Sequence, residues 1–408
     1  MADKYCNPNT GEGFAPTQAG TSGDPFLGAY GIQKAIDNVA AGESIFIDGT
    51  NTVDMRKLVT LTGVGDDKTG SWVVGDSLRN DDGDGDNWVG VLCEITAATI
   101  LVELSTGVYS DVDTADGIEN TTQADTTTFS GKSLPGIVDD RGVGGSNTTV
   151  KIIGTNSSWT PGTLVVLDGG ATPDIVSVWT LASNYRVYKY LKGYRTTGSV
   201  FGYSGSPIYH IYDHCVFEGS TGGVGINCNG TRKWFHHCVF KNNNSHGVTI
   251  PTGDNKFYFC RFSGNGADGC YSNYNTNLFV GCAFVNNTDD GLQLDSNAYI
   301  ANIINCVFAN NGGDGLYLAT TLTTIRGCRF VKNTGYGIQL SSASEFVTED
   351  YCAFMSNTEG NRSTIAEGPN SVVETDAGYG VVDESTGNYT TSDTAASRRQ
   401  EIDIDWNE

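Results

Sequence analysis

The sequence predicts an all-β chain whose greater part is a coiled solenoid, with a capping helix near its start and a small inserted β subdomain. Two observations predict the solenoid. A Cys-x-Phe pair recurs at Cys215, Cys238, Cys260, Cys282, Cys306, Cys328 and Cys352, with spacings of 23, 22, 22, 24, 22 and 24 residues. Composition agrees: 53 Gly against 9 Pro, with abundant Asn, Thr and Ser and little Leu, Lys or Glu, favours many turns and few long helices.

The elements follow in chain order. Residues 1–61 form an N-terminal arm, a capping helix and first strands. In "AYGIQKAIDNVAAGESIFIDGT" (29–50), Ile32, Ala35 and Ile36 make an apolar stripe, Gly42 stops the helix, and Ile45 and Ile47 alternate as in a strand. A helix there would cover the open end of the coil stack, where strand edges are otherwise unpaired. Residues 62–145 break the repeat: "SWVVGDSL", "WVGVLCEIT" and "TILVELS" read as strands with ordinary turns. Residues 146–360 make the solenoid, entered through "VKIIG", "TLVVLDGG", "VSVWTLA" and "YRVYKYLKGYR", where Leu191 takes the Cys position. After Cys352 the pattern fails, because Glu349 stands in an apolar column, so the stack ends near 360. Residues 361–408 are a polar, acidic tail.

Each coil carries three short strands. One precedes the Cys, with Tyr212, Phe235, Phe257, Phe279, Ile303 and Ile325 three residues upstream. The second holds Cys and Phe, two apart and so on one inward face. The residue between them (Val216, Val239, Arg261, Ala283, Val307, Arg329, Ala353) must then look outward. The third opens at Gly225, Gly247, Gly269, Gly291, Gly315 or Gly337. Stacking at ~4.8 Å sets Cys over Cys, Phe over Phe, and Asn243, Asn265, Asn287, Asn311, Asn333 and Asn357 over one another. Asn suits that place by tolerating a left-handed turn and by bonding to the Asn above and below. Seven of the eleven Cys sit at the repeat position, which reads as packed thiols and not as a disulfide framework.

These residues resemble the right-handed parallel β-helices of the pectin-lyase-like family over about residues 145–360. Handedness is what the resemblance implies. A capping helix, a solenoid and a separate β insertion also resemble bacteriophage spike and fibre proteins, and that likeness implies a parallel homotrimer packed with other virion proteins.

The formal charge of −23 argues against nucleic acid or an anionic membrane as partner. No stretch reaches the ~20 apolar residues of a membrane span. "MADKYCNPNTGEGF" lacks the basic and apolar regions of a secretion signal, so the expectation is synthesis in a host cytoplasm and residence in a virion.

Chemistry has three candidate places. The position before the repeat Gly reads His246, Asp268, Asp290, Asp314 and Tyr336, with Asp289 alongside. Stacked carboxylates ~5 or ~10 Å apart bracket the separations used in glycoside hydrolysis, and crowding raises a pKa as a general acid requires. If the protein is an enzyme, Asp268, Asp290 and Asp314 are its candidates. The plain alternative is that Asp-Gly closes a tight turn, which its repetition favours. "NTDDG" (287–291) resembles the Asn-Thr-Asp and Asp-Asp motifs of polygalacturonases, but their His loop and Arg-x-Lys strand have no match. A second outward column, Asn227, Thr249, Tyr271, Gln293, Tyr317 and Gln339, offers Tyr271, Gln293 and Tyr317 to a glycan, or is an ordinary solvated face. In "NDDGDGDNW", Asp82, Asp84 and Asp86 supply hard oxygens suited to Ca²⁺; without a metal it is a plain acidic loop. His210, His214, His236, His237 and His246 cluster on the first coils, with His214 and His237 in one column, and give no set of three ligands.

Two functions stay open. One is a structural or attachment component of a bacteriophage virion, binding surface glycans without catalysis and needing no cofactor beyond calcium. The other is a polysaccharide lyase or glycoside hydrolase using the Asp column.

Overall fold

The computed structural model describes residues 3–8, 18–64, 72–80, 88–96, 99–107, 109–112, 117–139, 149–171, 175–274, 277–295, 301–319, 322–341, 346–374, 381–383 and 388–391. The chain divides into two compact units, residues 1–204 and 205–408.

The first unit begins the parallel β-solenoid. Strands Lys4–Asn7, Ser44–Asp48, Val150–Thr155 and Arg186–Lys189 pair in parallel, with Ile45 against Ile152 and Ile152 against Tyr188. Two further parallel sheets contain Val165–Asp168 with Leu191–Thr196, and Ile137–Asp139 with Trp179–Leu181 and Phe201–Tyr203. Helix α1 spans Gly28–Asn38 and buries Ile32, Ala35 and Ile36, the expected stripe. It ends before Gly42, which lies in the following turn with a left-handed φ of 84°.

Between the strands of this unit sits a seven-stranded antiparallel sheet running from Leu58–Thr62 to Gly131–Ser133. It has its own core, including Leu61, Trp72, Leu78, Trp88, Leu92, Val102 and Ile118. Its strand Thr99–Thr106 also serves the helix. Glu103 accepts from the Ala29 amide at the start of α1, where a carboxylate answers the unpaired N–H groups and the positive end of the helix dipole. Gly28 (φ 73°) leaves room for that carboxylate; a Cβ there would stand 2.3 Å from Glu103 Oε2.

The second unit is the repeat itself. Each regular coil gives one strand to each of three parallel sheets, as Lys256–Tyr258, Arg261–Ser263 and Cys270–Ser272 do. Registration is residue on residue: Phe217 pairs with Phe240, Phe240 with Phe262, Phe262 with Phe284, and so on to Phe330 with Phe354. The rings of this file stack with centroids 4.5–4.9 Å apart. A second file, Tyr212, Phe235, Phe257 and Phe279, stacks at 4.7–5.0 Å and meets the first edge-on. All eleven Cys are free and buried. Thiols of the repeat donate to carbonyls, as Cys260 Sγ does to Phe235 O at 3.5 Å and Tyr258 O at 3.4 Å.

The Asn file is a continuous hydrogen-bond ladder. Asn265 Oδ1 accepts from the Asn243 amide (3.2 Å) and from Asn243 Nδ2 (3.1 Å). Asn265 Nδ2 donates to Phe240 O (3.1 Å) and to Asn287 Oδ1 (2.9 Å). The same pattern continues through Asn311, Asn333 and Asn357. One expectation needs correction. The left-handed residue is the one before the ladder Asn, namely Asn242, Gly264, Asn286, Asn310, Lys332 or Ser356. The ladder Asn is selected for hydrogen bonding alone. Likewise the repeat Gly is selected for closeness: a Cβ at Gly269 would stand 2.5 Å from Gly291 O and 2.8 Å from Asn287 Nδ2.

Two more expectations change. The residue between Cys and Phe is not always solvated: Ala283 and Val307 are buried, joined by Val285, Ala309, Val331 and Met355 in a second apolar cluster. Small aliphatic side chains let the column pack there and at Val216, whereas Arg261, Arg329 and the last member, Ala353, stay partly exposed. Parallel pairing also runs past 360. Gly360–Ser363 pairs with Tyr336–Leu340 and Val372–Glu374 with Ala353–Met355. Glu349, read as a break, is a buried carboxylate that accepts from Arg362 Nε (3.1 Å), the Gly368 amide (2.9 Å) and the Ser371 hydroxyl. Ion pairing and hydrogen bonding satisfy it inside an apolar column.

Candidate functional site

The Asp file lies in the turn that enters the third sheet of the second unit, one position before the repeat Gly. There the chain comes off the Asn ladder and must satisfy the amides of a sharp bend. Each Asp does this for the next coil: Asp268 Oδ1 accepts from the Asp290 amide (3.0 Å), Asp290 Oδ1 from that of Asp314 (2.6 Å) and Asp314 Oδ1 from that of Tyr336 (2.6 Å). One oxygen of each carboxyl is therefore structural. All three side chains are buried, while Asp289 is exposed beside them.

Burial and neighbouring charge set the electrostatics. Desolvation, aided by Asp268 and Asp314, pushes the Asp290 carboxyl up to about 8 against the downward pull of the Asp314 amide. Desolvation also pushes Asp314 up to about 6, with Glu359 and Asp289 adding to it. Asp289 is raised by partial burial and by Asp268. At neutral pH Asp290 thus holds a proton close to an exposed carboxyl: one oxygen from each of Asp268, Asp289 and Asp290 lies within 4.8 Å of the others. Gly313 makes the arrangement possible. A Cβ there would stand 2.3 Å from Asp290 Oδ1 and 2.7 Å from Asp289 Oδ1.

His246 begins the file. Its Nδ1 lies 3.1 Å from Asp268 Oδ2 and 3.3 Å from the Asp268 amide, so the ring tautomer decides which contact is a hydrogen bond. The His246 ring stacks on Tyr271 at 5.3 Å.

The second predicted column is a true file: Asn227 pairs with Thr249, Thr249 with Tyr271, Tyr271 with Gln293, Gln293 with Tyr317 and Tyr317 with Gln339. Tyr271, Gln293 and Tyr317 are partly exposed and run beside the carboxyls. The Tyr271 hydroxyl donates to Asp295 Oδ2 (2.8 Å), and burial together with that bond pushes its pKa up to about 12. Gln339, with its carboxamide oriented to donate, reaches the Asp314 carboxylate. Asp82, Asp84 and Asp86 lie outside the described residues.

Sequence reasoning missed two things here. Asp289 was read as a companion of the file, yet it is the solvent-facing member. The two columns touch through His246 and Tyr271; a His one turn away from a Tyr, in adjoining columns of neighbouring coils, was the available signal. Among the described residues no helix is long and apolar enough to cross a membrane.

Registered coils, three parallel sheets and an Asn ladder define a parallel β-helix with a carboxyl file along one edge. The family model described as the right handed beta helix region matches residues 204–351. No curated protein matches the chain. Similar solved structures include pectate lyase Pel9A, with 13% identity over 95% of this chain and 85% of that one and a TM-score of 0.47. The A-module of mannuronan C-5 epimerase AlgE4 from Azotobacter vinelandii is 13% identical over 90% and 100% of the two chains, with a TM-score of 0.40. A rhamnogalacturonan lyase is 13% identical over 87% and 74%, with a TM-score of 0.41. None of these likenesses is close enough to transfer chemistry.

Proposed function

We propose that the protein acts on polysaccharide as a glycoside hydrolase, with Asp290 as general acid and Asp289 as its carboxylate partner. One observation carries the reading: a carboxyl kept protonated to about pH 8 stands within 4.8 Å of a solvent-facing carboxyl, beside a file of Tyr and Gln. Hydrolysis of a glycosidic bond asks for such a pair, one group giving a proton to the leaving oxygen and the other working at the anomeric carbon. The short separation suits the retaining course, in which the second carboxylate is the nucleophile. Asp268 and Asp314 would position the pair, since both are buried and bonded to backbone amides. Tyr271, Gln293 and Tyr317 would receive sugar rings through stacking and amide hydrogen bonds. Hydrolysis is the reading taken because it asks only for a proton donor and a carboxylate, which Asp290 and Asp289 supply, whereas elimination asks in addition for a base and a cation to quench the sugar carboxylate.

The test is depolymerisation of a panel of plant, algal and bacterial surface polysaccharides, read as new reducing ends and as unsaturated product. Asp290→Asn should reduce turnover by about 10²–10⁴-fold while leaving glycan binding in place. Unsaturated product would mean elimination instead. Wild-type protein that binds a glycan and never cleaves one would end the enzymatic reading.

A second reading has one observation on its side: each file Asp caps the amide of the next coil, which explains the repetition without chemistry. In that reading the chain is a fibre, spike or capsid-decorating protein of a bacteriophage particle, a homotrimer made in the host cytoplasm. Mass spectrometry of purified particles and sedimentation of the purified chain test it.

A further inference from the structure

The first coils of the second unit carry a side-chain cluster that the carboxyl file does not use. Asp213 ends strand His210–Asp213, and His214 follows it in the corner before the Cys. One coil on, the pairing of Asp213 with His236 places His237 over His214. Both corner residues are left-handed, with φ 53° at His214 and 52° at His237, so the bend fixes where their side chains start. The two imidazoles stack with centroids 4.8 Å apart, and Phe259 covers the far face of His237 at 5.4 Å. His214 Nδ1 lies 2.7 Å from Asp213 Oδ1. One possible ligand atom from each of Asp213, His214 and His237 falls within 4.8 Å of the other two. Both His residues are exposed and Asp213 is partly so, which leaves a path for entry from solvent.

We propose that Asp213, His214 and His237 form a binding site for a divalent transition-metal ion of the zinc type. Two imidazoles are borderline donors and, with one hard carboxylate, make a set that suits Zn²⁺, Co²⁺ or Ni²⁺ better than Ca²⁺ or Mg²⁺, which take oxygen shells. Three protein ligands on an exposed corner leave at least one position for water or solute, the pattern of reactive and not of purely structural zinc. Stacked rings point their lone pairs in parallel, so the ion turns at least one ring about its soft χ2 torsion and opens the stack. The Asp213 contact to His214 already draws two of the three ligands together. The site is separate from the Asp289–Asp290 pair and does not depend on its role.

The experiment uses the full chain, stripped with chelator and titrated with Zn²⁺ by calorimetry and with Co²⁺ by visible absorption. One equivalent should bind with micromolar or tighter affinity, and Co²⁺ should develop the intense ligand-field bands of low-coordinate cobalt. His214→Gln, His237→Gln and Asp213→Asn should each weaken binding by about tenfold or more, whereas Asp289→Asn should leave it unchanged. Chelated variants melting with the chelated wild type would exclude misfolding as the cause. Binding only at millimolar ion, or one equivalent retained by the double His variant, would overturn the proposal. The cobalt spectrum of the wild type tests it without any variant, and weak six-coordinate bands would count against it.

Discussion

Asp290 shows how far a fold can move a single side chain. Its carboxyl is raised to about 8 because the proton is cheaper than an unsolvated anion next to Asp268 and Asp314. The stability consequence has a definite sign. The folded state binds the proton up to about pH 8 while the unfolded chain releases it near 4, so folding loses stability as pH rises from 4 to 8, and the full penalty stands above 8. Asp290→Asn keeps an oxygen for the Asp314 amide and removes the charge. It should stabilise the protein by about 2–4 kcal/mol at pH 9 and by far less at pH 4, a difference measurable by denaturant titration at the two pH values. Equal effects at both would show that Asp290 is ionised in the folded state.

The ladders are where sequence and structure speak most directly to each other. Cys-x-Phe spacing was enough to predict three strands per coil, because inward residues two apart and a repeat of 22–24 residues leave little else to build. The files of Phe, Cys, Asn, Tyr and Gln all appear in register. What was not legible depends on contacts between elements distant in sequence. Nothing in "TILVELS" marks Glu103 as the cap of a helix over 70 residues earlier, and nothing around Glu349 marks Arg362 as its partner. The Asp file was legible as a column, but not the division of labour between a buried Asp290 and an exposed Asp289, which depends on a one-residue change of direction at the turn. His214 and His237 were seen to share a column; Asp213, the third member of their cluster, was missed because successive side chains of a strand point to opposite faces and only the left-handed corner brings these two together. For the Asn ladder, Asn287→Ala would remove the acceptor of the Asn265 amide, one of the two acceptors of Asn265 Nδ2 and the side-chain donor to Phe262 O. The expected cost is about 2–4 kcal/mol, seen as a lower denaturation midpoint. A cost below about 0.5 kcal/mol would mean that the ladder is ornamental to folding.

At the scale of the molecule, eleven buried thiols without a disulfide bear on the chain's redox character. Burial pushes the Cys238, Cys306 and Cys328 thiols well above their usual range; at Cys282 burial is opposed by bonding to the Cys260 and Cys306 thiols, which pulls the other way, but that thiol too is sealed from solvent, so a reagent has no access. A thiol reagent should therefore find almost none of the eleven in the native protein and all of them after denaturation, and reductant should leave the melting temperature unchanged. Rapid labelling of several thiols under native conditions would contradict the packing described above.

Registered stacking has an evolutionary corollary. In the regular part of the repeat, successive coils present nearly the same Phe, Cys and Asn surfaces. A duplication or loss of one whole coil leaves matching surfaces on either side of the join, whereas a change of a few residues within a strand shifts every side chain after it. Selection on such a gene can adjust reach in increments of ~4.8 Å. Lineages descended from it should vary in length by whole coils.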